Sequence, residues 1–221
     1  MTKPFVIALD GSAASGKGTL ARLIAEAYGF AHLDTGMLYR GVAWLLLDRG
    51  AAPDDEDAAA AAADGFSLDA VKDADIRTRE VGAAASKVAA MPRVRAALLD
   101  FQRRFAANPP GGKGAVLDGR DIGTVVCPEA QVKFFVTASP EVRAHRRWLE
   151  LVADKPGLEE KAVYEDLLER DARDAARADA PMKAADDAEL LDTSDLTIEA
   201  AFAAARRVID GVFRRCGTDS G

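Results

Sequence analysis

The sequence predicts an α/β fold of three layers, with a five-stranded parallel sheet covered by helices on both faces. Three observations carry this expectation. Short apolar segments alternate with longer helical ones, at Phe5–Leu9, within Gly29–Leu33, and at Ala115–Asp118, Val132–Val136 and Glu189–Asp192. The first of these runs into a glycine-rich loop, a lysine and an amphipathic helix. Residues 54–110 carry helical spacing, and the strand–helix alternation resumes right after them. That pattern marks 54–110 as an inserted lobe in a core made of 1–53 and 111–221.

Phe5 to Leu9 is long enough for one buried strand, and Leu20, Leu23, Ile24 and Ala27 share one face of the helix that follows the loop. Asp34-Thr-Gly36 closes the second strand and can cap a helix over Met37–Asp48, with Arg40 near its start. Asp54–Ala63 turns into a pure alanine run, helical by propensity. Gly65–Asp75 lacks periodicity, Ile76–Ala90 has helical spacing, and Pro92 opens a helix reaching Ala107. Asn108-Pro-Pro-Gly-Gly-Lys-Gly114 is a strong break. After the fourth strand, Thr137-Ala-Ser-Pro140 opens a helix to Leu151, and Asp154-Lys-Pro-Gly157 breaks it, marking a short lid at about 150–160. A long charged helix over Glu159–Ala178 and a closing amphipathic helix over Ile198–Arg214 complete the chain. Ligands of such sheets sit at the carboxyl ends of the strands, where Gly11, Asp34, Asp118, Thr137 and Asp192 lie.

The 221 residues, 49% of them hydrophobic, fit one α/β core with small appended lobes. A net charge of −7 and an isoelectric point near 5.0 argue against polymeric nucleic acid as a partner. Cys127 and Cys216 are far apart and form no framework, and no His/Cys cluster has zinc spacing. The longest apolar run, Val42–Leu47, is far short of a membrane span, and four residues ahead of Phe5 are too few for a signal peptide. The expectation is a soluble, cytoplasmic protein with no membrane partner.

Strand, glycine loop, lysine, helix is the arrangement that binds phosphates. Loop amides and a helix N-terminus point at the anion, small residues let the backbone wrap it, and Lys17 adds a full charge. The usual pattern places Ser or Thr directly after the lysine; here Gly18 intervenes, giving G-x-x-x-x-G-K-G-T over Gly11–Thr19. Arg143, Arg146 and Arg147 share one helix face, as do Arg170, Asp174 and Arg177. Each set fits a solvated charged face. Two such faces flanking one break also fit a clamp on phosphate oxygens, for which arginine supplies planar bidentate donors. Asp118-Gly-Arg-Asp121 fits equally a turn with a capping aspartate and a functional loop at the mouth of the sheet. A chain poor in histidine and rich in converging arginine suits phosphoryl transfer, which needs positioning and charge stabilisation more than a base.

The loop variant resembles that of nucleoside monophosphate kinases, and the whole chain resembles the bacterial cytidylate kinases, which phosphorylate CMP and dCMP from ATP. The resemblance rests on G-S-A-A-S-G-K-G-T at 11–19, D-T-G-M-L-Y-R at 34–40, A-A-S-K-V-A-A-M-P-R-V-R at 84–95, D-G-R-D-I-G-T-V-V at 118–126 and R-D-A-R-D-A-A-R at 170–177. It implies that Gly11, Ser12, Ala13, Ala14, Ser15, Gly16, Lys17, Gly18 and Thr19 hold the ATP phosphates, with Thr19 near Mg²⁺. It implies that Arg40, Arg120 and Arg177 grip the CMP phosphate, with Thr35 on the same side, and that Arg170 and Asp174 hold the ribose. Ser86, Arg95 and Asp121 would read the cytosine edge, an acceptor such as Asp121 suiting the exocyclic amine. Lys17, Arg120, Arg177 and the lid arginines Arg146 and Arg147 form the implied catalytic set. By the same analogy the protein acts as a monomer.

Three other readings stand beside this resemblance, one within the enzyme class and two outside it. Among the latter is a non-catalytic nucleotide sensor, which an intact Lys17 and two arginine faces oppose. A kinase of the same fold acting on UMP or a small alcohol would lack the set at 86, 95 and 121. A GTPase-type switch would carry N-K-x-D, which Asn108, the lone asparagine and followed by proline, cannot supply. Many cytidylate kinases insert a three-stranded antiparallel sheet ahead of the A-A-S segment. Three strands with tight turns need roughly 19 residues, so the short Gly65–Asp75 stretch predicts a lobe without that sheet. The lid segment is expected to order when both nucleotides bind. Hydrogen exchange over 148–160 should slow in the ternary complex, and equal exchange with and without nucleotides would remove the lid.

Overall fold

The computed structural model describes residues 3–153 and 155–216; of Cys216 it describes the backbone only. Asp154, the first residue of the expected lid break, and the Cys216 side chain lie outside the described residues. The elements run β1 (Phe5–Gly11), α1 (Lys17–Tyr28), β2 (Ala31–Asp34), α2 (Thr35–Asp48), α3 (Glu56–Ala63), α4 (Arg79–Val88) and α5 (Pro92–Ala107). Then follow β3 (Gly114–Asp118), β4 (Val132–Thr137), α6 (Pro140–Val152), α7 (Glu160–Ala175), β5 (Glu189–Asp192) and α8 (Ile198–Cys216). A 3₁₀ turn covers Leu68–Val71 and a π-helical turn covers Ile122–Val126.

The five strands form one parallel sheet in the order β2-β3-β1-β4-β5. β1 is central and wholly buried, so its side chains split by the two-residue period of a strand. Phe5, Ile7 and Leu9 pack with Leu20 and Ile24 of α1 and Ala205 and Ile209 of α8. Val6 and Ala8 pack with Leu33, Leu117, Ile122 and Val126 on the opposite face. A continuous apolar run, rather than an alternating one, is what a strand covered on both faces requires.

Residues 54–110 contain no strand: α3, the 3₁₀ turn, α4 and α5 fill the segment, as its length predicts. Leu38, Val42 and Leu46 of α2 join Val81, Val88, Val94 and Leu98 of the segment in one core. The helical lobe therefore borrows its central helix from outside 54–110. A smaller core of Ala144, Val163 and Leu167, backed by Trp148 and Tyr164, holds α6 against α7.

Two helix ends differ from the periodicity and have local causes. α4 begins at Arg79 rather than Ile76 because the Thr78 hydroxyl caps it, accepting from the Val81 amide at 3.2 Å. α7 ends at Ala175 rather than Ala178 because the Met182 amide takes the Asp174 carbonyl at 2.9 Å, the acceptor the next turn would need. Arg177 accordingly lies past the helix.

β1 and β4 approach so closely at the start of the phosphate loop that Gly11, with φ 138°, has no room for a side chain. A Cβ there would enter the shell of the Val136 carbonyl oxygen. Gly11→Ala should destabilise the protein by roughly 2 kcal/mol or more, through strain at that φ and separation of the strands. Urea unfolding measures this; an unchanged midpoint would mean that the two strands part freely.

Candidate active site

The carboxyl ends of β1, β2 and β3 open on a cavity of about 570 Å³. On one side runs the phosphate loop. Ala14 and Gly16 take positive φ, 58° and 83°, and the Ser15 hydroxyl donates to the Ser12 carbonyl at 3.0 Å, so the loop curls back on itself. α1 then starts with no side-chain cap and no acid in its first turn, which leaves its amides free for an anion. The Lys17 ammonium reaches back to within 3.4 Å of the Ser12 carbonyl. Burial, and next the Arg120 guanidinium, pull its pKa down to about 7 against the pull of Asp118 and Asp34. The Asp34 carboxyl is raised, first by burial and then by Asp118. Asp118 is itself bonded to His32 at 2.7 Å.

A cluster of arginines lines the same cavity. Asp174, 1% exposed, anchors them. Its Oδ2 accepts from Arg120 Nε at 2.9 Å, its Oδ1 accepts from Arg177, and Arg170 Nε lies 3.9 Å away. Burial works to raise the Asp174 carboxyl, but Arg120, Arg177 and Arg170 outweigh it and hold it below the usual carboxylate range. One carboxylate cannot neutralise the set. Burial and then Arg120 lower Arg170 to about 9, and burial and then Arg147 lower Arg40 to about 10. Crowded, desolvated guanidinia that repel one another form a site that an anion relieves. Arg40 also donates to the Ile76 carbonyl at 3.0 Å, and Arg147 to the Arg77 carbonyl at 3.3 Å, which ties both to the helical lobe.

At the far end the cavity is floored by Arg95 and Asp121, a buried pair in direct contact. Arg95 Nε also donates to Asp179 at 3.1 Å, and Ser86 accepts from Arg173 at 3.4 Å. The Thr35 hydroxyl donates to the Asp118 carbonyl at 2.8 Å and fixes the start of α2 against the end of β3.

Of the residues singled out in the sequence, Ala13–Thr19, Thr35, Arg40, Ser86, Arg95, Arg120, Asp121, Arg147, Arg170, Asp174 and Arg177 line this one cavity. Gly11 and Ser12 shape the loop from behind. The face of Arg143, Arg146 and Arg147 divides. Arg143 is buried and props the loop from outside, donating to the Ala13 carbonyl at 3.3 Å and pairing with Asp171 at 2.6 Å. Arg146 donates to Thr193 Oγ1 at 3.1 Å and to its carbonyl at 2.8 Å. Only Arg147 of the three reaches the main cavity.

Sequence reasoning missed Thr193. Its hydroxyl bonds the Ser15 carbonyl at 2.9 Å and so links the phosphate loop to Arg146. Its place one residue past β5 was the available signal. It also missed a second cavity of about 470 Å³ on the other side of the loop, lined by Arg146, Leu149, Thr193, Leu196, Ile198 and Ala201.

The model of the cytidylate kinase family matches residues 7–210. This chain belongs to the cytidylate kinase family. A cytidylate kinase of Rhodopseudomonas palustris is 57% identical over 207 residues, 94% of this chain and 96% of that one. One of Paramagnetospirillum magneticum is 59% identical, over 92% of this chain and 97% of its own length. One of Rhizobium meliloti is 54% identical, over 95% and 98%. Among solved structures, an uncharacterized protein from Eubacterium ventriosum has a TM-score of 0.53 at 16% identity, covering 93% of this chain and 98% of that one, a likeness of fold.

For a kinase of this family, the depressed Lys17 carries a measurable consequence. At pH 8 the free ammonium is mostly deprotonated, and bound phosphates raise its pKa again, so ATP binding should take up most of one proton. Calorimetry in buffers of different ionisation enthalpy reads this uptake directly. Lys17→Arg, charged throughout, should abolish it; equal uptake in both proteins would place Lys17 away from the phosphates.

Proposed function

We propose that the protein transfers the γ-phosphoryl group of ATP to CMP or dCMP, giving ADP and CDP or dCDP, in the cavity described above. One observation carries the assignment to that cavity: the phosphate loop, the arginine cluster and the Arg95–Asp121 pair all line it. ATP phosphates lie along the loop amides and Lys17. The purine and ribose of ATP enter the second cavity, whose apolar wall of Leu196, Ile198 and Ala201 and polar end at Arg146 and Thr193 suit a stacked heterocycle. The CMP phosphate lies among Arg40, Arg120 and Arg177, its sugar against Arg170 and Asp174, and its base against Ser86, Arg95 and Asp121. Residues 54–110 serve as the CMP-side lobe and about 150–160 as the lid.

A phosphate oxygen of CMP attacks the γ-phosphorus of ATP in line, and the bond to the β-phosphate oxygen breaks, leaving ADP. Lys17, Arg120, Arg147 and Arg177 hold donor and acceptor phosphates together despite their mutual repulsion and stabilise charge on the transferring group. Arg146, anchored on Thr193, serves the ATP side. Mg²⁺, bound with ATP, would shield the β- and γ-oxygens when present. Among the described residues no cluster of His, Cys, Asp and Glu is built to hold a metal alone. The hard oxygen of the Thr19 hydroxyl, at the start of α1, fits a magnesium ion held mainly by the nucleotide itself.

Asp121 accepts from Arg95, so cytosine read by both would turn its amine to Asp121 and its ring acceptors to Arg95. Uracil presents an acceptor where cytosine presents the amine, and would leave Asp121 without a donor.

A coupled ADP-release assay across CMP, dCMP, UMP, AMP and shikimate tests the function. CMP and dCMP should be the efficient acceptors; turnover of UMP or shikimate alone would overturn the assignment. Lys17→Ala should lower turnover by orders of magnitude in a folded protein. Asp121→Asn should narrow the CMP-over-UMP ratio of kcat/KM about tenfold or more. A ratio that does not move would place base reading elsewhere.

A further inference from the structure

Asp10 is the last side chain before the phosphate loop, and no step above uses it. It is buried, 4% exposed, at the end of the central strand. Among the described residues it has no ion-pair partner. Both its oxygens are spent on the loop that follows β3: Oδ1 accepts from the Ile122 amide at 2.7 Å and Oδ2 from the Gly123 amide at 2.7 Å. Those amides start the π-helical turn at Ile122–Val126, in which the Cys127 amide bonds the Ile122 carbonyl at 2.7 Å. Such turns are uncommon and concentrate at functional sites. Immediately before Ile122 come Asp121, which faces Arg95, and Arg120, which faces Asp174.

We propose that Asp10 is a positioning residue for CMP recognition: its carboxylate fixes the loop bearing Arg120 and Asp121 to the strand that carries the phosphate loop. The proposal rests on the functional reading above. The chemistry selects a carboxylate. Two adjacent amides point at one buried spot, and only an ionised carboxylate offers two acceptors and no donor there. Asparagine would accept from one amide and set its own N–H₂ against the other. A water there would have to find further partners of its own.

The buried carboxylate has a cost that a purely structural bond would avoid. Burial raises its pKa to about 6, against the two amides that lower it. Asp121 pushes the same way as burial and Arg120 opposes it, both from the anchored loop. From β4, the Lys133 stem lies near Gly123, but its ammonium is bonded to Asp187 at 2.9 Å. Cys127, at the end of the turn, has its thiol raised to about 11 by burial and stays neutral over this range. The hold on the loop is therefore half lost at about pH 6 and becomes complete only well above it. Below it a protonated Asp10 turns one oxygen into a donor and releases an amide.

Asp10→Asn tests the assignment. It should fold, since it removes a buried charge as well as one hydrogen bond. KM for CMP should rise about tenfold or more and the CMP-over-UMP ratio narrow about tenfold, while KM for ATP moves less than about threefold. Unchanged CMP parameters would overturn the proposal, and so would an equal loss for ATP and CMP, which marks a merely structural role. A readout free of turnover stands beside this. In the wild-type protein, NMR should show the Ile122 and Gly123 amide protons shifting together with a midpoint near pH 6, and both should exchange faster below it. Ile122 and Gly123 amides that show no titration step anywhere from about pH 3 to 8 would overturn the proposal even if Asp10→Asn failed to fold. The CMP-over-UMP ratio of the wild type should narrow over the same interval, because phosphate ionisation is common to both nucleotides and cancels. A wild-type protein that ignores CMP would refute the functional reading, whereas the amide titration would still decide what Asp10 holds.

Discussion

Parallel pairing of β1 with β3 and β4 is the constraint on which the site depends. In that register Leu9 stands beside Asp118, and Gly11 beside Val136. Asp34 is aligned with Asp118, and Thr137 with Asp192. Chain segments more than a hundred residues apart therefore end at one level and turn outward together. The phosphate loop, the start of α2 and the Asp118–Asp121 loop share a cavity because their strands stop in step. Backbone hydrogen bonds to a buried strand set that alignment with a rigidity no exposed loop could match.

On this frame the protein concentrates positive charge against its own average. The chain carries a net −7, yet Lys17, Arg40, Arg120, Arg147, Arg170 and Arg177 line one cavity. Asp174 is the counter-charge that Arg120, Arg170 and Arg177 share. It keeps Arg120, Arg177 and Arg170 convergent without satisfying them, and Arg170 Nε remains buried with no hydrogen-bond partner. The Arg95–Asp121 pair is the opposite case: it is buried and its charges are matched, with Asp179 also accepting from Arg95. On the proposed reading, electrostatic demand would serve phosphate affinity and hydrogen-bond matching would serve base choice.

The helical lobe is attached by both packing and polar contacts. α2 belongs at once to the sheet, through Thr35, and to the lobe core, through Leu38, Val42 and Leu46. Arg79 pairs with Asp166 of α7 at 2.5 Å, and Arg147 reaches the Arg77 carbonyl, so lobe and α6–α7 pair already touch across the cavity rim. These rim contacts are exposed ion pairs and single hydrogen bonds, each worth about 1 kcal/mol or less.

The sequence by itself determined whatever is local. A strand, six small residues, a lysine and an amphipathic helix specify the phosphate loop because every interaction that shapes it lies within about twenty residues. The length of Gly65–Asp75 ruled out a sheet in the lobe, and 3.6-residue spacing placed Arg170 and Asp174 on one face. What only the tertiary structure decided depends on neighbours remote in sequence. Arg143, Arg146 and Arg147 look equivalent on a helical wheel, yet α7 buries the first against Asp171, Thr193 claims the second, and the third alone enters the cavity. Arg177 joins the cluster although the helix stops short of it, held by its bond to Asp174. Asp10 reads as the polar end of an apolar strand until the fold places the Ile122 and Gly123 amides against it, 112 and 113 residues away. Periodicity states which residues share a face; only packing states what that face meets, and the charge and hydrogen-bond partner of a buried polar group follow from the meeting.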